Sequence, residues 1–426
     1  METAMNPQDF FDPLASEVLA VAPARAHDLA RLRVLAQRHA APTVTVVGKY
    51  NHGKSRLLNE LVGRDVFAVA DRRETVTLSE HHHAELRWLD APGLDADVAE
   101  QDDGHAQQAI WLHADIRLFV HAAKEGELDA AERTLLQTLR EDQLRTRRQT
   151  LFVLTQVDQM SDEEQLAKVS AAIQAQAHGL ALHPVSATRH RNGVEGGKQL
   201  LLNKSGIPAL QALLREVVQQ VPAARQHEQA VLFADIGEQL QQQQAAAQAQ
   251  WLALQQRQQQ QRQQFEQGLQ SVLESIHQDL LPIVELQGED PALTPDTAAD
   301  EFRLTAGKRE RARIHVAYSR ACIAIRAHLI QHGVEGLPAD QRTSVASLDT
   351  VMVAVMGISV KYRADLRRRF CEPAGQAQLM QSFLHYYELS EDQQALQQAL
   401  AQAQSEQQAN TRALEALQRL RQGASA

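Results

Sequence analysis

The segment GKYNHGKS at residues 48–55 decides the fold of this chain. It has the form G-x-x-x-x-G-K-S, whose glycines let the backbone turn tightly around phosphate oxygens. The β-branched run VTVV at residues 44–47 predicts a buried strand, and RLLNEL at residues 56–61 predicts a helix. Because that helix begins where the loop ends, its N–H groups and positive dipole end face the bound anion. The segment therefore predicts a phosphate-binding loop in an α/β domain.

The chemistry of this loop predicts the roles of its residues. Lys54 can reach the β- and γ-phosphates of a nucleotide, and Ser55 can ligate Mg²⁺. His52 is expected to fill space rather than to take part in chemistry. The loop residues expected to contact the nucleotide are Gly48, Asn51, His52, Gly53, Lys54, Ser55 and Arg56.

Length, charge and cysteine content limit the class of protein. The 426 residues are enough for two or three domains, and the net charge of −10 disfavours a general nucleic-acid binder, so no specific nucleic-acid partner is expected. Two distant cysteines, Cys322 and Cys371, predict a reducing, cytoplasmic compartment without a disulfide framework. No apolar run reaches the ~18–20 residues of a membrane span. The polar N-terminus predicts no secretory signal.

Three regions are expected along the chain. Residues 1–41 are helical, with a break at Pro23, and pack on the C-terminal helices. Residues 42–221 alternate strand-like and helix-like stretches, which predicts a mostly parallel sheet flanked by helices. Residues 222–426 are expected to form a long helical bundle or stalk, with one helix over residues 223–281 that includes a glutamine-rich stretch. The expected strands are residues 44–47, 75–78, 86–89, 116–121, 150–154 and 181–185.

The helical region contains three features with alternative interpretations. Apolar residues recur every seven positions over residues 389–417, which predicts either a helix packed in a bundle or a self-associating coiled coil. An apolar run over residues 351–360 precedes a basic cluster that ends at residue 369. It predicts either a membrane-contacting tip or a buried helix with a solvated basic end. A second basic stretch, residues 303–326, can face phosphates or acidic helices of the same chain.

Further motifs lie where strands end. The sequence DAPG at residues 90–93 supplies a carboxylate, Asp90, that can hold Mg²⁺ and a glycine, Gly93, whose N–H can meet the γ-phosphate. A carboxylate at Asp158 can accept both the N1–H and the amino group of guanine. Thr75 can close over Mg²⁺, with Thr77 as the competing residue. The other expected nucleotide contacts are Thr155, Gln156, Ser186 and Ala187, of which the last two can touch the guanine O6 through their backbone.

These motifs, in this order, resemble the GTPases of the translation-factor-related P-loop class, and within it the Era-like and dynamin-like branches. The resemblance covers residues 42–221. It implies GTP and GDP as ligands, hydrolysis of GTP to GDP and phosphate, and Mg²⁺ as cofactor. It implies Mg²⁺ contacts from Ser55, Thr75 and Asp90, and catalytic roles for Lys54, Thr75, Asn51 and Gly93.

The chain departs from the family pattern at two places. Gln156 stands where the family usually has a lysine, which predicts weaker binding of guanine. Leu94 stands where Ras-like enzymes have a water-orienting glutamine. Asn51 matches an asparagine that helps coordinate K⁺ in some Era-like enzymes, so K⁺ is a candidate second cofactor. Arg72 and Arg73 are the alternatives to K⁺ as the source of positive charge near the phosphates.

The sequence therefore predicts a GTP-hydrolysing, dynamin-like protein that self-associates as a homodimer or larger assembly. It is expected to be cytoplasmic. An anionic membrane surface is a candidate partner, so peripheral attachment to a membrane is the alternative localisation. The alternative is a soluble Era-like switch that acts on a protein or ribonucleoprotein partner. A module that binds the nucleotide but barely hydrolyses it is the third interpretation.

Overall fold

The computed structural model describes residues 7–37, 40–68, 79–90, 108–357 and 360–425. The chain divides into two compact units, the first comprising Met1–Gln242 and Ala409–Ala426 and the second Gln243–Gln408. This division falls inside a helix, and the domain boundaries expected after residues 41 and 221 stay predictions.

A six-stranded sheet forms the centre of the first unit in the described residues. Its order is β2-β3-β1-β4-β5-β6, and only β2 runs antiparallel to its neighbour. The mostly parallel sheet expected from the alternating pattern is therefore confirmed, while the strand expected at residues 75–78 lies outside the described residues. The strands are β1 (Thr43–Val47), β2 (Ser79–His83), β3 (Leu86–Asp90), β4 (Ile116–Ala122), β5 (Gln149–Thr155) and β6 (Leu182–Pro184).

Helices cover both faces of this sheet, as expected. One face buries Val44 and Val46 against α3 and the start of α8, and the other buries Phe119 and Phe152 against α4 and α5. Strands buried on both faces read as continuous apolar runs, which is why they could be located in the sequence. The helices of the first unit are α1 (Pro7–Val21), α2 (Ala26–Leu35), α3 (Lys54–Val62), α4 (Ala130–Thr146), α5 (Glu163–Gln176), α6 (Ala187–Glu195), α7 (Gln199–Lys204) and the first part of α8 (Ile207–Val284).

Buried ion pairs connect the N-terminal helices to the amino edge of the sheet. The Arg31 guanidinium of α2 donates to both carboxylate oxygens of Glu228 on α8, at 2.9 and 2.8 Å. Arg225 on α8 donates to Asp115 at 2.6 Å, and Asp115 accepts the backbone N–H of Thr43 at 2.8 Å. Because burying an unpaired charge costs several kcal/mol, roughly 3–5 when one partner is removed, these pairs fix how α2 and α8 meet the sheet.

The long helix α8 differs from the prediction at its start. It begins at Ile207 and continues through Pro222, whereas the helix was expected to begin at residue 223. Proline lacks the N–H that bonds to the preceding turn, a local cost of ~3 kcal/mol. Val217 and Val221 in the adjacent turns are buried against the sheet, so tertiary packing offsets that cost.

A separate apolar core organises the second unit. Phe265 of α8 stacks on Tyr387 with ring centroids 4.2 Å apart, and Ile314, Ile325 and Phe383 belong to the same core. No helix formed by the described residues combines the length and apolar character needed to cross a bilayer. The other helices are α9 (Ala306–Gln331), α10 (Val351–Met356), α11 (Arg363–Leu366), α12 (Pro373–Glu388) and α13 (Glu391–Ser425), which continues into the first unit.

Burial within residues 351–369 distinguishes between the two interpretations of this segment. Val351 and Met356 of α10 are only 1% and 3% exposed and belong to the core of the second unit. Arg363 pairs with Glu310 at 2.7 Å, and Arg369 donates to the Met356 carbonyl. Val351, Met356 and Val360 are thus buried, and several arginines of the basic cluster bond inside the unit, which favours the alternative of a buried helix with a basic end.

The heptad positions of the tail face the interior of the chain. Leu396, Ala403, Asn410 and Leu417 on α13 are all buried, and Leu417 packs on α1, α2 and α8. Their repeat therefore serves packing within one chain, as the bundle interpretation expects.

Candidate nucleotide-binding site

The predicted site residues converge at the carboxyl edge of the sheet. The loop over residues 48–53 connects β1 to α3, Asp90 ends β3, Thr155 ends β5 and Ser186 follows β6. These strands are parallel, so their carboxyl ends meet at one edge, where α/β proteins place their ligands. The fold therefore brings together the loop, the DAPG carboxylate, the TQVD segment and the SA pair.

Two loop positions require glycine for steric reasons. A Cβ on Gly48 would lie 2.2 Å from the carbonyl oxygen of Val120 on β4, closer than any real contact. Gly53 has φ +80° and precedes the first residue of α3, a conformation that side chains with a Cβ rarely adopt. Asn51 also adopts a left-handed conformation, with φ 57°. The loop can thus pass close to β4 and deliver α3 with its N-terminus toward the edge.

Lys54, Ser55 and Asp90 form the polar centre of the edge. The Lys54 ammonium donates to the Lys49 carbonyl at 2.8 Å, which folds its side chain back over the loop. The Ser55 hydroxyl donates to Asp90 Oδ2 at 2.6 Å. Asp90 is 2% exposed, and its burial raises the pKa of the carboxyl, an effect that the Ser55 hydrogen bond and the Lys54 charge oppose.

This polar centre fits a divalent cation. Asp90 Oδ1 is buried and accepts no hydrogen bond from the residues that the structure describes. A buried carboxylate with a free oxygen beside a serine hydroxyl presents the hard oxygen ligands that Mg²⁺ prefers, and a cation there would offset the cost of burying the charge.

The TQVD segment contacts the loop directly. The Thr155 hydroxyl lies 2.6 Å from the His52 carbonyl, and Gln156 Nε2 donates to the Asn51 carbonyl at 2.7 Å. Gln156 itself adopts a left-handed conformation, with φ 59°, and leads into a short turn that holds Asp158 half-buried at the edge. The glutamine in the usual lysine position is therefore tied to the phosphate loop.

The SA pair begins helix α6. Ser186 is buried, its N–H donates to the Ser205 carbonyl at 2.8 Å, and its hydroxyl accepts the Arg189 N–H at 3.0 Å as the N-cap. Ala187 is the first helical residue. The cap fixes the backbone of both residues beside the end of β5, because the Val185 N–H also donates to the Leu154 carbonyl at 2.8 Å.

A buried polar cluster, not predicted from the sequence, lies behind the loop. His121 Nδ1 lies 2.8 Å from Glu132 Oε1, and His52 Nδ1 lies 3.6 Å from the same oxygen. Burial, together with the nearby His121, lowers the pKa of His52 to about 4, so His52 is neutral at physiological pH. Asp129 and Glu132 have the spacing of a capping box, D-x-x-E, which is the signal that could have located the cluster.

The remaining predicted residues divide into two groups. Arg56 is exposed on the first turn of α3, where it faces solvent rather than the loop. Thr75 and Gly93 lie outside the described residues, as do the alternatives Thr77, Arg72, Arg73 and Leu94.

The fold and the site together define the G domain of a P-loop GTPase. A family model described as "50S ribosome-binding GTPase" matches residues 43–156, which include the loop, Asp90 and the start of TQVD. The uncharacterized protein ACIAD1443 of Acinetobacter baylyi is 50% identical to this chain over 408 residues, covering 96% of this chain and 97% of that protein. The chain therefore belongs to the same family as that protein.

Two further similarities are partial. GTPase Der of Streptococcus mutans is 37% identical over 101 residues, which are 22% of this chain and 23% of Der. A solved structure of an oligomerised bacterial dynamin pair aligns with 98% of this chain and 81% of its own, at 14% identity and a TM-score of 0.36. The likeness to Der thus spans less than a quarter of either chain.

Proposed function

We propose that this protein binds GTP at the carboxyl edge of its sheet and hydrolyses it to GDP and phosphate. The observation that carries the proposal is the convergence of Lys54, Ser55, Asp90 and Asp158 at that edge, on a loop whose glycine at 48 admits no side chain. Water is the nucleophile, and catalysis consists mainly of positioning and charge stabilisation.

Each polar group has a role in this proposal. The Lys54 ammonium leaves the Lys49 carbonyl for the β- and γ-phosphates, while the loop N–H groups and the N-terminus of α3 bind phosphate oxygens. Ser55 and Asp90, joined by Thr75, would hold Mg²⁺, which supplies positive charge to the phosphates during transfer. Gly93 is proposed to donate its N–H to the γ-phosphate.

Guanine is proposed to be selected by Asp158. Its carboxylate accepts from N1–H and the 2-amino group, a donor pair that adenine lacks. The backbone of Ser186 and Ala187, fixed by the cap of α6, contacts O6. Gln156 covers one side of the base with its aliphatic part while its amide remains bonded to the Asn51 carbonyl.

Water positioning and self-association are proposed to depend on K⁺ and on a second subunit. Leu94 replaces the Ras-type glutamine in the sequence, and Asn51 is exposed on the loop where a cation can approach the phosphates. We expect the GTPase rate in KCl to exceed that in NaCl about tenfold, and the rate per molecule to rise with protein concentration. Steady-state phosphate release in the two salts, over a concentration series, measures both effects. Tight GTP binding with negligible turnover in both salts would leave only the nucleotide-binding module.

An exposed apolar surface on the second unit favours a peripheral membrane role. Val316, Ile323 and Ile330 recur every seven residues on α9, so they share one side of the helix, and all three are exposed. Before that helix, Phe302 is 96% exposed and Leu304 is 74% exposed. Large apolar side chains with such high solvent exposure are typical of segments that insert into the interface of a bilayer.

The exposed charged residues of α9 are all basic, whereas the segment before it exposes the acidic Glu301 beside Phe302. Arg309, Arg313 and Arg320 are exposed on α9, and the only acidic residue within the helix, Glu310, is buried against Arg363. Two copies of this basic side of α9 would repel each other, whereas an anionic lipid surface would attract it, by about 1 kcal/mol per arginine near the membrane. We therefore propose that α9 and the residues before it, rather than residues 351–369, contact anionic lipid.

Reversing one charge on this surface tests the membrane role. We expect Arg313→Glu to weaken binding to phosphatidylglycerol-containing vesicles about tenfold, because the change removes one favourable charge and adds a repulsive one. Arg368→Glu, which reverses an exposed arginine in the other basic segment, is the matched control and should bind as the unmodified protein does. Vesicle co-sedimentation measures both. If the unmodified protein does not bind these vesicles, the soluble switch acting on a protein or ribonucleoprotein partner is the better assignment.

A further inference from the structure

The buried carboxylate of Glu132 joins three elements behind the phosphate loop. It accepts the N–H of Asp129 at 3.2 Å, which completes the capping box of α4. It pairs with His121 at the end of β4, at 2.8 Å. It also lies 3.8 Å from the ammonium of Lys49, the second residue of the loop, and Lys49 pairs with Asp129 as well. One side chain thus connects the loop, the sheet and a helix N-terminus.

The neighbouring His121 explains why the Glu132 carboxylate remains ionised although it is buried. Burial alone would raise the pKa of Glu132, but the hydrogen bond and charge of His121 hold it below its usual value. His121 Nε2 lies 2.9 Å from the Gly126 carbonyl, so oxygen acceptors face both nitrogens of the ring. The His52 ring meets the His121 ring edge to face, with centroids 5.0 Å apart. Glu132 is therefore a fixed anion beneath the loop.

Further contacts in the described part of the chain reach the loop through its backbone carbonyls. Thr155 and Gln156 contact the carbonyls of His52 and Asn51. The Lys49 carbonyl is the acceptor of the Lys54 ammonium at 2.8 Å. The ion pairs of Lys49 thus fix the peptide that orients the residue expected to bind phosphate.

We propose that Glu132 is a positioning residue for the phosphate-binding loop, acting through Lys49 and with His121 as its anchor on β4. This rests on the proposed GTP site. Loss of the carboxylate charge removes the buried one of the two anions that hold Lys49, so more of the loop must be ordered when the nucleotide binds, and the affinity falls for GDP and GTP alike. Since Lys54 still reaches the phosphates once the bound nucleotide has ordered the loop, kcat is largely retained.

A double-mutant cycle tests this proposal. Glu132→Gln keeps a capping-box acceptor at the third helical position and removes only the charge. Lys49→Met removes the loop partner and leaves the Glu132–His121 pair intact. We expect each change to raise the Kd for fluorescent GDP and the KM for GTP about tenfold, with kcat altered less than about threefold. The double variant should bind no more weakly than the weaker single variant, because both changes break the same link.

The control is a similar buried carboxylate away from the loop. Glu60 on α3 lies 2.6 Å from His190 and pairs with Arg191, so Glu60→Gln removes a comparable charge and should leave the Kd unchanged. Unchanged affinity in Glu132→Gln, or additive losses in the double variant, would overturn the positioning role while the GTP site stands. Absence of GDP binding and GTP hydrolysis in the unmodified protein would overturn both proposals.

Discussion

Lys54→Ala is expected to abolish GTP turnover, with kcat/KM lowered at least about a hundredfold. The Lys54 ammonium is the cationic side chain at the start of α3, buried to 8% exposure and already directed over the loop by its bond to the Lys49 carbonyl. Without it, the charge that develops on the phosphates would be met only by backbone N–H groups and Mg²⁺. Alanine is the best helix former, so the first turn of α3 should remain folded.

Phosphate release under saturating GTP and a binding titration with fluorescent GDP measure this effect. Lys168→Ala on α5 is the matched control, because Lys168 is an exposed lysine paired with Glu164 away from the edge of the sheet. It should retain the full rate. A Lys54→Ala rate equal to that of the control would contradict the assignment of the loop as the phosphate site.

Asp158→Asn is expected to change base selection from guanine to xanthine. The carboxylate accepts two donors of guanine, whereas an asparagine amide offers a donor that matches the C2 carbonyl of xanthine. Sites built to hydrogen-bond a substrate reject a mismatched analogue strongly, because the buried polar groups are left unpaired. We expect the ratio of kcat/KM for GTP over xanthosine triphosphate to fall at least about a hundredfold.

Competition assays with the two triphosphates provide the measurement. Asp162→Asn is the control, since Asp162 caps α5 by accepting the Gln165 N–H at 2.7 Å and asparagine is an equally good cap. The control should leave the preference for GTP unchanged. If Asp158→Asn also keeps that preference, another residue selects the base.

Much of the G domain was predictable from sequence because its signals are local. The G-x-x-x-x-G-K-S pattern specifies a backbone path, and continuous β-branched runs specify buried parallel strands. Asp90, Thr155 and Ser186 could be placed at one edge because parallel strands share a direction. The edge at which those residues lie follows from the shared direction of the strands that precede them.

Other parts of the site could not be predicted because they depend on distant contacts. Glu132 is one acidic residue in a helical segment, and its value as a link appears only when β4 brings His121 to 2.8 Å from it. Gln156 was expected to weaken guanine binding, but only the fold shows that its amide holds the Asn51 carbonyl. The long helix was expected to begin at residue 223, but it begins at Ile207, because burial of Val217 and Val221 offsets the local penalty of Pro222.

The sequence by itself determined the class of the protein, since the phosphate loop, the DAPG and TQVD segments and the strand periodicity all act through local backbone geometry. Tertiary structure alone decided which apolar and basic segments are exposed to solvent. Val351 and Met356 are buried, while Phe302 and Leu304 are exposed, although all four are apolar in the sequence. Burial depends on which elements meet after the chain has folded, and composition does not encode that pairing.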